Sequence, residues 1–137
     1  MKVRTILLLV VVCALAAPTF AGPMKAGKYQ ITVQMQMAGM DAKMPPMTIE
    51  KCVTQEEADN PQPPKMKNSE DCKVSDYKLD GKTMTWKVAC EKMKATGEGK
   101  MTFDGDGWTG ESHIKMQDHE MTQTMSGKRV GDCEAKK

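Results

Sequence analysis

Residues 29–37 read Tyr-Gln-Ile-Thr-Val-Gln-Met-Gln-Met, with apolar and polar side chains in strict alternation. A pleated strand gathers side chains of period two on one face, whereas a helix spreads them around its circumference. This stretch therefore predicts a half-buried β-strand. Similar alternation recurs further along the chain and predicts seven strands in all, at residues 29–37, 47–53, 73–79, 84–90, 95–103, 108–116 and 121–130.

Short turns between these strands indicate antiparallel neighbours. The turns Asp80–Thr83 and Asp104–Gly107 contain glycines that supply the positive φ angles of tight hairpins. A capping box at Thr54 and Glu57 predicts a short helix after the second strand. Because one short helix cannot cover a seven-stranded apolar face, the sequence predicts an all-β fold, an up-and-down antiparallel meander curled into a barrel or half-barrel.

Residues 1–21 have the pattern of a secretory signal peptide. Lys2 and Arg4 precede an apolar run that is too short to anchor the chain in a membrane, and Thr19-Phe20-Ala21 resembles a cleavage site. We therefore expect an exported protein, periplasmic or secreted, with a single antiparallel β domain at residues 22–137. We expect no transmembrane segment in that domain.

A lipoprotein signal is the competing interpretation of the leader. Cys13 lies inside the apolar run, where an acylated cysteine would have to be. Lipoprotein signals have a small residue directly before the cysteine, and Val12 does not meet that requirement. The sequence thus favours removal of Cys13 with the leader.

Charge and motifs argue against several classes of function. Lys2 and Arg4 account for the excess of 20 Lys and Arg residues over 18 Asp and Glu residues, so the remaining chain is electrically balanced. Without a basic block, nucleic acid and anionic membranes are not expected partners. Common nucleophilic, redox, nucleotide and zinc motifs are missing, and a pair such as Glu98 with Glu111 is expected to be solvated. We expect no enzymatic activity and no cofactor.

Four cysteines remain after the leader, and in an oxidising compartment they predict two disulfides. Pairing Cys52 with Cys72 is preferred because this bridge would close the base of the excursion between the second and third strands, which leaves Cys90 with Cys133. A simple meander, however, places Cys90 and Cys133 far apart. Either the tail folds back after Val130 or the topology is not up-and-down, and three pairings stay open.

Methionine replaces much of the usual core. Thirteen of the 14 methionines follow Met1, and only five aromatic residues follow the leader. Flexible thioethers adapt to variable partners, and small residues on the same strand face permit strong curvature or leave room for a guest. The leading hypothesis is a non-enzymatic binding protein of the cell envelope for an apolar small molecule or a partner's apolar segment. Its candidate ligand-facing residues are Met35, Met37, Gly97, Gly99, Met101, Trp108, Gly110 and Ile114.

Two other functions stay open. Four methionines surround the expected tip of the first hairpin, and soft thioether ligands of this kind select Cu(I). A structural or interaction module of the envelope, without a small ligand, is the second alternative. The candidate Cu(I) ligands are Met37, Met40, Met44 and Met47, with His113 or His119 as nitrogen donors.

Several motifs extend over nearly all of the chain after the leader. They are Ala26-Gly27-Lys28-Tyr29, Met44-Pro45-Pro46, Lys51-Cys52-Val53-Thr54, residues 71–77, Thr85-Trp86 and residues 126–133. In combination they resemble a bacterial family known only as domain of unknown function 3617. The resemblance implies an exported protein with a cysteine framework, and it brings no activity, cofactor or functional residue with it.

Overall fold

The computed structural model describes residues 22–40, 44–65 and 69–134, so the predicted signal peptide lies outside the described residues. All seven predicted strands are present, and the capping box is confirmed. Thr54 Oγ1 accepts a hydrogen bond from the Glu57 backbone, and bonds from Lys51 and Thr54 lower the pKa of the Glu57 carboxyl. The elements are β1 Gly27–Met37, β2 Met47–Val53, α1 Gln55–Asp59, a 3-10 turn Ser69–Asp71, β3 Cys72–Asp80, β4 Thr83–Cys90, β5 Ala95–Phe103, β6 Gly107–Met116 and β7 His119–Gly131.

The strands form one antiparallel sheet in the order β2-β1-β7-β6-β5-β4-β3. Strands β3 to β7 are the expected meander, but the hairpin β1–β2 is added along β7, so the prediction of a simple up-and-down order is wrong. A turn specifies the neighbour on one side of a strand only, and no turn signal marks the pairing of β1 with β7. In the part of the chain that the structure describes, β2 and β3 are the sheet edges, and the sheet is not closed into a barrel.

One face of the sheet carries the hydrophobic core. Tyr29, Met84 and Phe103 are its most deeply buried large side chains. The Tyr29 hydroxyl donates a hydrogen bond of 2.8 Å to the Lys25 carbonyl, and burial raises the pKa of this hydroxyl. Ala58 of α1 packs into the same cluster, so the connection after β2 covers part of the apolar face.

The four cysteines form two disulfides, but the preferred pairing is wrong: Cys52 is joined to Cys133, and Cys72 to Cys90. A β-bulge around Asp76, whose φ is 50°, shifts the β3 register by one residue and sets Cys72 directly opposite Cys90. The bridge between Cys52 and Cys133 follows from the strand order. Because β1 lies between β7 and β2, the tail after β7 ends near Cys52.

One structural feature bears on the location of the protein. Two disulfides are compatible with an oxidising, exported location. Over residues 22–40, 44–65 and 69–134, no helix has the length and apolar character needed to cross a membrane. The signal peptide and the periplasmic or secreted location stay predictions.

Candidate functional site

The strand register places the candidate ligand-facing residues on one face of the sheet. A row of directly opposed residues crosses five strands of this face, from Met35 on β1 through Gln123, Ser112 and Gly99 to Trp86 on β4. Directly opposed residues of antiparallel strands point to the same side. The other candidates lie at alternate positions of the same strands and therefore share this face, which is also the face of the core.

One end of this face is filled by the protein's own side chains. A Cβ atom added at Gly99 would overlap the Trp86 indole, and one at Gly127 would overlap the Trp108 indole. Met101 and Trp108 are themselves buried. The structure thus corrects the expectation that Gly99 leaves room for a guest, because Trp86 occupies that space.

The other end of the face contains a cavity of about 280 Å³. Pro64 and Lys65, which belong to the connection between β2 and β3, border it opposite the strands. Ser112 and Gln123 also line it, and Ser112 is only 8% exposed. The apolar part of the lining comes from Met35, Trp86, Val88, Ile114, Met121 and Met125.

Of the eight candidate residues, only Met35 and Ile114 line this cavity. The contribution of β7 was missed, although Met121, Gln123 and Met125 alternate along that strand and the same period-two rule could have identified them. No signal in the sequence indicates that Pro64 and Lys65 border the site. Their place depends on a connection that leads from one sheet edge to the other.

The same face stays apolar up to the open edge of the sheet. Met47 and Ile49 on β2 lie opposite Val33 and Ile31 on β1. The side chains of Met47 and Ile49 are 60% and 52% exposed, whereas Val33 and Ile31 are half-buried. An exposed apolar patch on a small protein is typical of an interaction site.

The opposite face of the sheet is polar and solvated. Lys87, Glu98 and His113 lie opposite one another across β4, β5 and β6. Glu111 Oε1 is 2.7 Å from His113 Nε2, and hydrogen bonding to Asp76 raises the pKa of Lys87. The side chains in these two contacts are more than half exposed. Glu98 is exposed as well, so Glu98 and Glu111 both lie in the solvated environment expected for them. Among the described residues, no cluster of His, Cys, Asp and Glu could hold a metal ion.

The tip methionines of the first hairpin are solvent-exposed. The exposed fractions are 59% for Met40, 49% for Met44 and 60% for Met47. A backbone hydrogen bond of 2.9 Å from Ala38 to Glu120 joins this end of the hairpin to the start of β7. The end of β1 is thus held next to the start of β7, whose first residue is His119.

The sequence model of one protein family matches residues 24–133, and the family's description reads "Protein of unknown function (DUF3617)". The match includes all seven strands and both disulfides. It confirms the resemblance seen in the motifs. No curated protein and no solved structure matches the chain.

Proposed function

The chain belongs to the DUF3617 family, whose description states no activity, and we propose from the site itself that the protein is a non-enzymatic binding protein. It holds an apolar small molecule, or an apolar segment of a partner, against the face that carries Met35, Ile114 and Met121. The observation that carries this proposal is the cavity of about 280 Å³ between that face and Pro64–Lys65.

The lining of the cavity is of the kind found in ligand sites. Ligand sites are mostly apolar concavities with a few polar groups, and their volumes begin at about 300 Å³. The cavity has this composition and nearly this size, and its thioether walls can adapt to ligands of different shape.

The proposed place of action is the cell envelope. Its support is the cysteine framework, in which all four cysteines outside the leader are paired. The absence of catalytic activity is likewise part of the proposal. It is supported by the solvated state of the polar face, where the carboxylates and His113 lie.

We expect the purified protein to bind the neutral fluorescent probe N-phenyl-1-naphthylamine at this cavity. Met121→Glu should weaken binding by about tenfold or more, because a carboxylate in the apolar lining must lose hydration when the probe enters. Fluorescence titration measures the effect. Native mass spectrometry of protein from its own envelope should show a co-purifying apolar ligand.

Met93→Glu is the matched control, since Met93 is 41% exposed and does not border the cavity. This variant should bind the probe as the unchanged protein does, with circular dichroism confirming the fold of both variants. Equal binding by Met121→Glu would contradict the proposed site. A protein that binds no probe, but crosslinks in intact cells to one dominant protein, would instead be the interaction module.

Cu(I) binding at the hairpin tip is a second candidate function, favoured by the exposure of Met40, Met44 and Met47. Core packing does not account for thioethers that are about half in water, whereas soft sulfur ligands select Cu(I). We expect the protein to take up Ag(I), a redox-stable substitute that leaves the disulfides intact. Equilibrium dialysis of the triple variant Met40→Leu, Met44→Leu and Met47→Leu should show that this uptake is lost.

Met93→Leu is the control for this experiment, because it removes one exposed thioether elsewhere on the protein. Its Ag(I) uptake should equal that of the unchanged chain. Undiminished uptake by the triple variant would exclude the tip as the metal site, and the apolar-binding proposal would be unaffected.

A further inference from the structure

Two polar side chains lie among the apolar residues that the core face of the sheet contributes to the cavity. Ser112 on β6 and Gln123 on β7 are directly opposed and belong to the face of the core. Ser112 is more than nine-tenths buried and Gln123 is half-buried. Burying a hydroxyl or an amide without a hydrogen bond is unfavourable, so such groups usually have a partner.

Neither side chain makes a hydrogen bond to any other described residue. Every fully buried side-chain nitrogen or oxygen of the described residues does have a hydrogen-bond partner. Ser112 and Gln123 both line the cavity, which is a space that a solvent molecule or a ligand can enter.

Lys65 adds a positive charge to the border of the same cavity. Glu98 also borders it, but Glu98 lies opposite Lys87 and His113 on the polar face, and its charge contributes to the raised pKa of Lys87. Ser112, Gln123 and Lys65 can each donate a hydrogen bond. Three hydrogen-bond donors, one of which is the cationic Lys65, match the needs of a carboxylate.

We infer that the ligand is an amphiphile with a carboxylate and a short apolar chain, such as a short fatty acid. This inference rests on the proposed function and names its ligand class. The carboxylate accepts hydrogen bonds from Ser112 and Gln123 and pairs with Lys65, while the chain lies along Met35, Ile114 and Met121. A cavity near the lower end of known ligand volumes favours a short chain.

The test compares octanoate with 1-octanol, each added to displace N-phenyl-1-naphthylamine from the disulfide-bonded protein. Octanoate should bind about tenfold more tightly, since hydrogen bonds to a charged group are stronger than those between neutral groups. Ser112→Ala, Gln123→Leu and Lys65→Met should each reduce this preference for octanoate over 1-octanol, with the affinity of each variant for the probe measured first so that both competitors are compared on the same variant. Ser126→Ala and Lys128→Met, on the exposed face of β7, are controls that should retain the preference.

The outcomes separate this inference from the function on which it rests. If the protein binds the probe but has equal affinities for octanoate and 1-octanol, the inference that the ligand carries a carboxylate is wrong. The apolar-binding function would remain intact. A preference for octanoate that survives all three cavity variants would also overturn it, because the carboxylate would then lie elsewhere. No probe binding by the unchanged protein would overturn the proposed function itself.

Discussion

Replacing Cys52 and Cys133 together by alanine is expected to lower the free energy of unfolding by about 4.5 kcal/mol, whereas replacing Cys72 and Cys90 costs about 3 kcal/mol. The two bridges have similar chemistry and differ in the chain they enclose, with sequence separations of 81 and 18 residues. A bridge across a longer loop removes more conformational freedom from the unfolded chain. The larger loss is a considerable part of the ~5–15 kcal/mol that stabilises a typical domain.

The position of β2 gives the longer bridge a second role. β2 is an edge strand, and Val53 is the one buried residue along it. Little apolar burial holds this strand in the sheet, so the bridge to the tail after β7 keeps β2 in place. We therefore expect the Cys52→Ala, Cys133→Ala variant to lose amide protection in β2 before the meander β3–β7 loses it.

Denaturation in urea, monitored by circular dichroism, measures the loss of unfolding free energy in both variants. Hydrogen exchange measures the order in which β2 and the meander β3–β7 lose amide protection. The Cys72→Ala, Cys90→Ala variant is the matched control, because its bridge joins neighbouring strands of one hairpin. Equal losses for the two variants, or a greater loss for the control, would contradict the account based on loop length.

The alternation of apolar and polar residues was sufficient to identify the strands and the apolar face of each strand. It was insufficient to identify which cysteines pair. The period of Tyr29–Met37 follows from local pleat geometry, so the strand and its apolar side could be predicted. The disulfides depend on non-local features. A bulge at Asp76 moves Cys72 to the position opposite Cys90, and no residue type marks such a bulge unambiguously.

The candidate site shows the same limit. Ile114 and Met35 were correctly placed on one face because each belongs to an alternating strand. Side chains from other parts of the chain determine which part of the face stays open. Trp86 covers Gly99, while Pro64 borders the open end, and both are long-range relations that strand periodicity does not contain.

Gly99→Ala and Gly127→Ala are each expected to lower the free energy of unfolding by about 3 kcal/mol, near the top of the usual range for overpacking. The Cβ of either variant would overlap an indole ring, that of Trp86 or of Trp108. These indoles are 6% and 9% exposed, so neither ring can move into water without leaving the core. Denaturation in urea measures both losses, and Gly131→Ala is the control, because open space surrounds that position and the change there should stay within about 0.5 kcal/mol.

A double-mutant cycle shows whether the indole is the cause. In a Trp86→Leu background the smaller side chain leaves room above residue 99, so Gly99→Ala should cost much less there than in the unchanged protein. The expected coupling energy is about 2 kcal/mol, within the range for residues in contact. If Gly99→Ala costs the same in both backgrounds, the loss comes from the strand backbone, and Trp86 does not need a glycine beneath it. A reduced cost would establish that this end of the apolar face is filled by the protein itself, which leaves the end bordered by Pro64 and Lys65 as the part open to a ligand.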